Sequence, residues 1–158
     1  MPTLLRHLFR ATTANLSAPE ILFLAALAIL AWVLRKRRRW IPAGYCAYLI
    51  LYITLLRRAP GYHEELRLLP RLWAGAGTWA GNLLNLLLYM PFGAACQYWQ
   101  RPPKQTVAAG FLLSLFCEYT QFQTQRGTAD INDILFNTLG AALGLYLAKR
   151  FQNYFQQK

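Results

Sequence analysis

The chain has 158 residues, of which 56% are hydrophobic, 15% aromatic and 15% charged, and its formal net charge is +11. This length fits a single domain. The charged share is well below the quarter or so that is usual for a soluble domain, so the composition favours a membrane protein. The positive charge does not indicate a nucleic-acid partner, because the basic residues stand between long apolar runs and are not interleaved with aromatics along a groove.

Five apolar segments, each bounded by basic or turn-forming residues, predict five transmembrane helices. A helix needs about 17–25 residues to span the hydrocarbon core of a bilayer. The predicted helices cover residues 17–34, 40–56, 79–99, 105–124 and 129–148. The predicted fold class is therefore all-α, an integral membrane helical bundle. A soluble helical bundle is the alternative, and apolar runs this long without a polar face argue against it.

Breaks between the segments are clear in the sequence. Arg35–Arg39 ends the first helix and Arg57-Arg58 ends the second, and residues 59–78 form a long loop rich in proline and glycine. Pro91 lies inside the third helix, where the missing N–H predicts a kink. A turn at residues 101–104 precedes the fourth helix.

The distribution of basic residues predicts an orientation, because Lys and Arg in short loops are retained on the cytoplasmic side. One side of the bundle would hold the cluster Arg35–Arg39 together with Arg101, Lys104, Lys149, Arg150 and Lys158. The opposite side would hold Arg6, Arg10, Arg57, Arg58, Arg67, Arg71 and Arg126. We therefore predict a multi-pass protein of the plasma membrane with its N-terminus outside and its C-terminus in the cytoplasm.

Polar side chains of the last three predicted helices lie at one depth, near the outer leaflet. They are Asn82 and Asn85 near the start of the third helix, Glu118 and Gln121 near the end of the fourth, Arg126 in the following turn, and Asp130, Asp133 and Asn137 at the start of the fifth. An ionisable group at mid-membrane costs roughly 2.5–3.5 kcal/mol, so such groups need a functional or structural reason. We expect this polar cluster to form a binding pocket inside the bundle.

Residue spacing supports this convergence. Glu118 and Gln121 are three residues apart, and Asp130, Asp133 and Asn137 are separated by three and four, so each set shares one helix face. Gly140 and Gly144 continue the stripe of the fifth helix, and a pair of glycines at this spacing favours close packing between membrane helices.

Each polar residue also has a purely structural interpretation. Asp130 could cap the fifth helix, and Asn85, Gln121 and Asn137 could form interhelical hydrogen bonds. Arg126 could be a solvated loop charge, although pairing with one of the carboxylates is the preferred arrangement. Three carboxylates, those of Glu118, Asp130 and Asp133, could hold a hard cation. Nothing in the spacing fixes a coordination geometry, so neither a metal nor a cofactor is expected.

Together these residues resemble the VanZ-like family of small bacterial membrane proteins, named after an accessory teicoplanin-resistance protein. The similarity rests on Asn85, Pro91, Phe92, Gly93, Glu118, Gln121, Arg126, Asp130, Asp133, Asn137, Gly140 and Gly144. It covers about residues 40–148, which predicts an N-terminal segment 1–39 with an additional helix, a VanZ-like membrane domain 40–148 and a polar tail 149–158. The resemblance implies a protein of the bacterial cell envelope connected with tolerance of teicoplanin-type antibiotics.

Three functional hypotheses follow. In the leading one, the outer-leaflet pocket binds a lipid-linked envelope precursor, a glycopeptide-type ligand or another amphiphile, with membrane lipids as further partners. Glu118, Asp130 and Asp133 would accept hydrogen bonds, and Arg126, Arg57 and Arg58 would meet anionic head groups. In the second, the protein is an enzyme that uses Glu118 or Asp133 as acid or base on a lipid-linked substrate. In the third, it is a structural membrane subunit whose amides serve helix packing alone.

Overall fold

The computed structural model describes residues 17–56, 66–67 and 75–156. In chain order these residues form α1 (Ala18–Leu34), α2 (Ile41–Leu51), a π-helical segment (Tyr52–Leu56), β1 (Leu66–Arg67), α3 (Ala76–Tyr98), α4 (Pro103–Thr124), β2 (Ala129–Asp130) and α5 (Ile131–Gln156). The prediction of an all-α fold with five helices is confirmed. Most of the predicted loop 59–78 lies outside the described residues, and so do Arg6, Arg10, Arg57, Arg58, Arg71 and Lys158.

The helix bounds differ from the predicted ones in three places. Helix α5 continues to Gln156 instead of ending at residue 148, so most of the predicted polar tail is helical. Helix α3 begins at Ala76 and runs without interruption through Pro91 to Tyr98. The second predicted helix ends in the π-helical segment, which apolar patterning does not reveal.

Five membrane-spanning helices remain a prediction. Among the described helices, α5 alone is both long and apolar enough to cross a bilayer, while α1 and the segment Ile41–Leu56 are apolar but shorter. Helices α3 and α4 have 23 and 22 residues, which is sufficient length. They do not reach the same apolar character, because polar and small residues occupy their inward faces.

Helices α3 and α5 lie parallel and form the most extensive helix pair in the described structure. Glycines allow their backbones to touch: a Cβ added to Gly144 would lie 2.7 Å from the carbonyl carbon of Met90, and one added to Gly140 would lie 3.0 Å from that of Leu86. Gly93 of α3 approaches the backbone of Ala141 in the same way. The predicted role of Gly140 and Gly144 in close packing is confirmed.

Helix α4 runs antiparallel to α5 and packs against it through a second glycine. A Cβ added to Gly110 would lie 2.7 Å from the Cβ of Ala141, so Ala141 is enclosed between α3 and α4. Ala141 belongs to a small core with Ile50, Tyr89, Phe92 and Cys117, among others. Helix α1 is attached at the periphery, where the Tyr45 hydroxyl of α2 donates a hydrogen bond of 2.9 Å to the Leu24 carbonyl.

Two turns of the same type bring α4 and α5 back along the bundle. Gln100 and Gln125 follow α3 and α4 with φ angles of 62° and 52°, in the left-handed region. After α4, Arg126 N–H donates to the Gln121 carbonyl at 3.0 Å and Gln125 N–H to Phe122 at 3.3 Å. The pairing is that of a Schellman motif, which usually carries glycine at the left-handed position.

The helix directions give the described bundle two chemically different ends. The basic end contains Arg35–Arg39, Arg101, Lys104, Lys149 and Arg150, and no acidic residue that the structure describes. The polar end contains all the described acidic residues, Glu20, Glu118, Asp130 and Asp133, together with Arg67 and Arg126. Charge is therefore strongly separated along the axis of the bundle.

Polarity is also inverted between the interior and the exterior. Large apolar side chains are exposed around the helices, for example Leu22 at 71%, Trp32 at 65%, Leu112 at 60% and Phe116 at 54%. The buried polar residues among those described are Asn82, Thr106, Ser114, Glu118, Gln121, Asn132 and Asn137. A soluble monomer rarely exposes apolar patches of more than a few hundred Å².

Candidate polar site at one end of the bundle

Glu118 links α4 to the start of α5. Its side chain is only 5% exposed, and its Oε2 accepts a hydrogen bond of 2.9 Å from the backbone N–H of Asp130. The Asp130 Oδ1 in turn accepts the N–H of Asn132 at 2.9 Å. Asp130 therefore caps α5, as one interpretation of the sequence predicted, because its carboxylate satisfies an N–H group in the first helical turn.

Gln121 and Arg126 hold the π-helical segment against α4. Gln121 Nε2 donates to the Thr54 carbonyl at 3.1 Å, and Arg126 Nη1 donates to the Leu55 carbonyl at 2.8 Å. These carbonyls stand at the end of a helix, where the last C=O groups have no intrahelical donor. A single π-helical turn is also a frequent feature of functional sites.

The predicted pairing of Arg126 with a carboxylate is wrong within the described residues. The guanidinium instead donates to the Leu55 carbonyl, because the π-helical segment brings unsatisfied C=O groups close to the turn that carries Arg126. The carboxylates of Glu118 and Asp130 are turned toward backbone N–H groups. Within the same residues, no three His, Cys, Asp or Glu side chains come together as a metal-binding group.

Asn137 lies deeper in the bundle and joins α5 to α4. Its Nδ2 donates a hydrogen bond of 2.9 Å to the Ser114 Oγ, and both residues are fully enclosed. Near this pair, the buried Tyr89 hydroxyl donates to the Cys117 Sγ at 3.9 Å. The interhelical interpretation of Asn137 is thus confirmed, and Ser114, one turn before Glu118, is its partner.

Several buried polar atoms at this end have no hydrogen-bond partner among the described residues. They are Asn82 Nδ2, Arg126 Nε, Asn132 Oδ1 and Asn137 Oδ1. An unsatisfied buried donor or acceptor costs about 1–3 kcal/mol, so a cluster of them is unusual. Both donors and acceptors occur in the set, which suits a polar ligand or ordered water.

The register of α3 and α5 brings the asparagines to one level. Leu86 meets Gly140, so Asn82, one turn before Leu86, is level with the second turn of α5. Asn82 is 3% exposed, whereas the predicted site residue Asn85 is half-buried. On α5, Asn132 is buried and the predicted residue Asp133 is half-buried. The predicted residues Asn85 and Asp133 are therefore less buried than their neighbours Asn82 and Asn132.

Five residues of the site are absent from the set of predicted site residues. Thr54 and Leu55 contribute through their carbonyls, which no side-chain pattern reveals. Ser114 is four residues before Glu118 and so lies on the same face of α4, which is a usable signal. Asn82 shares a face with Asn85, and Asn132 stands between Asp130 and Asp133.

Fold and site together define a small helical-bundle protein with an apolar exterior and a polar cluster buried at one end. The chain belongs to the VanZ/LLP1 family, whose model matches residues 4–152. The match includes α1, so the family region begins earlier in the chain than residue 40, where the sequence resemblance placed it. No curated protein and no solved structure matches the chain.

Proposed function

We propose that the protein is a multi-pass membrane protein of the bacterial cell envelope, with its basic end in the cytoplasm. The apolar exterior supports insertion in lipid, and the concentration of Lys and Arg at one end supports the orientation. A C-terminal fusion to green fluorescent protein would fluoresce under this proposal, because the fluorophore matures in the cytoplasm. A fusion to alkaline phosphatase at the same position would be inactive, and the reverse pattern would contradict the orientation.

We further propose that the polar end binds the head group of a lipid-linked or amphiphilic ligand in the outer leaflet. The observation that carries this proposal is the set of buried polar atoms without partners among the described residues, at Asn82, Arg126, Asn132 and Asn137. An unsatisfied buried polar atom costs about 1–3 kcal/mol, and this cost favours a ligand that supplies complementary groups. The half-buried Asn85 and Asp133 would border the bound head group.

A pair of asparagine variants tests the ligand proposal. Asn82→Leu removes a buried amide whose Nδ2 has no described acceptor, so folding stability is unchanged or higher while ligand binding is lost. Asn137→Leu is the reference for lost stability alone, because it breaks the bond to Ser114 and also removes an atom of the proposed site. The readouts are thermal unfolding in detergent and mass spectrometry of the amphiphiles that co-purify. If Asn82→Leu destabilises the protein as much as Asn137→Leu and co-purifies with the same amphiphiles as the wild type, the proposal fails.

Family membership supports a more specific proposal, that the bound ligand connects the protein with tolerance of teicoplanin-type antibiotics. Growth of a susceptible bacterium in teicoplanin would then improve on expression of the wild-type protein. Asn82→Leu, expressed at the same level, would abolish this gain. Equal growth in teicoplanin of strains with the wild type, the variant and an empty vector would contradict the resistance role. Ligand binding would still be tested separately, by co-purification.

A structural role is the second candidate, and specific hydrogen bonds favour it. Glu118, Gln121 and Arg126 all end on backbone groups of neighbouring segments, and so they fasten α4 to α5 and to the π-helical segment. Glu118→Gln discriminates the two candidates, since the amide can keep the bond from Asp130 N–H through its oxygen. A site in which Glu118 only joins α4 to α5 keeps this bond, whereas a site that uses the negative charge loses its ligand.

A further inference from the structure

A cavity lies at the basic end, on the opposite side of the molecule from the polar site. Its volume is about 470 Å³, and it is a partly open groove between the start of α2, the end of α3 and the start of α4. Small or apolar side chains line much of it, including Ala43, Ala47, Phe92 and Ala109. Ligand pockets commonly have volumes of about 300–1,000 Å³ and largely apolar linings.

The rim of this cavity is polar, aromatic and positively charged. Trp40, Trp99, Arg101 and Gln105 line it, and they belong to the turns and first residues of the helices. The Arg101 guanidinium lies 4.0 Å from the centre of the Trp99 ring, so the aromatic side chain orients the charge. Trp residues are typical of the depth at which lipid head groups meet hydrocarbon.

The start of α4 adds further positive potential to the rim. Its first-turn amides, including those of Lys104 and Gln105, have no acceptor within the helix. The 22-residue helix also places the positive end of its dipole there, which favours a phosphate group. The loop Arg35–Arg39 is adjacent to Trp40, and none of the described acidic residues lies at this end. An anion would therefore meet attraction without a competing carboxylate from the described residues.

We propose that this cavity binds an anionic phospholipid from the leaflet at the basic end, independently of any ligand at the polar end. One acyl chain lies against Ala47 and Ala109 between α2 and α4. The phosphate is bound by Arg101 and by the first-turn amides of α4. Basic pockets between membrane helices are known to recognise anionic head groups through this combination of charge and apolar contact.

The test uses the full-length protein in detergent, titrated with phosphatidylglycerol or phosphatidylcholine and measured by native mass spectrometry. We expect a one-to-one adduct with phosphatidylglycerol that is at least several-fold tighter than the adduct with phosphatidylcholine. Arg101→Gln weakens the phosphatidylglycerol adduct about fivefold, which corresponds to one basic residue near the head group. Lys104→Gln, in the same turn but outside the cavity lining, is the matched control and has a smaller effect.

A second pair of variants tests the acyl-chain contact. Ala109→Phe fills the cavity from an exposed position of α4, so the adduct is lost while the fold is retained. Ala108→Phe makes the same change at a neighbouring exposed residue that does not line the cavity, and binding persists. Equal affinity for the two phospholipids, equal effects of Arg101→Gln and Lys104→Gln, or equal effects of Ala108→Phe and Ala109→Phe would each overturn the proposal.

Discussion

The glycine contact between α3 and α5 makes a quantitative prediction. In Gly144→Ala, the new methyl group would lie 2.7 Å from the carbonyl carbon of Met90 and closer still to its oxygen. Favourable contact between carbon atoms occurs at about 3.5–4.0 Å, so the two backbones must separate by roughly an ångström at this point. Overpacking of this kind costs about 1–3 kcal/mol. The gain in helix propensity, about 0.8–1.0 kcal/mol, offsets part of this cost, so we expect a net loss of folding stability of up to about 2 kcal/mol.

Gly81→Ala is the matched control in the same bundle. Gly81 lies in α3, and a Cβ there would meet no atom within 4 Å. Because alanine has the higher helix propensity by about 0.8–1.0 kcal/mol, this variant is expected to be as stable as the wild type or slightly more so. Both changes gain the same helix propensity, so the two variants should differ by the overpacking cost alone, about 1–3 kcal/mol.

Unfolding by sodium dodecyl sulfate in mixed micelles, followed by circular dichroism, measures this difference. We expect the Gly144→Ala midpoint to fall and the Gly81→Ala midpoint to stay level or rise. Equal midpoints for the two variants would show that α3 and α5 do not meet backbone to backbone. The register that brings Asn82 level with α5 would then lose its support.

Three further predictions concern hydrogen bonds and turns. Ser114→Ala leaves the buried Asn137 amide without its acceptor and should lower folding stability by about 1–3 kcal/mol. Adding Asn137→Leu should restore part of this stability, which a double-mutant cycle measures. Gln100→Gly relieves a left-handed residue and should stabilise the fold by about 1 kcal/mol, whereas a loss of stability would argue against that turn. Asp130→Ala removes the cap of α5 and should cost about 0.5–2 kcal/mol, while Asp130→Asn keeps most of it; equal losses for the two would contradict the capping role.

The helices of this fold could be predicted because each apolar run ends at a strong break. Arg35–Arg39 and the turn at 101–104 separate their neighbours in the sequence, and the helix bounds there agree within a few residues. The end of the last helix could not be predicted in the same way. Lys149 and Arg150 indicate where the apolar segment ends, but both residues are compatible with a helix that continues. Helix α5 therefore continues to Gln156, with Phe155 largely exposed.

The candidate site could be predicted in location but not in pairing. Glu118 was predicted near Asp130 because the end of α4 and the start of α5 lie at the same depth, and a hydrogen bond joins the two residues. The partners of Gln121 and Arg126 are backbone carbonyls at Thr54 and Leu55, which a side-chain pattern does not contain. The rotation of a helix about its axis decides which of two neighbouring polar residues is buried. In α5 this rotation buries Asn132 and leaves Asp133 half-buried, and the sequence does not specify it.

Photocrosslinking tests the central claim, that the polar end of the bundle holds a specific amphiphile. A diazirine-bearing amino acid would replace the half-buried Asn85 at the polar end and, as a control, Leu112 on the exposed apolar face of α4. After irradiation in native membranes, mass spectrometry identifies the attached molecules. We predict that position 85 captures one polar-headed amphiphile far above its abundance in the membrane, while position 112 captures the bulk lipids in proportion. The same bulk composition at both positions would contradict the claim.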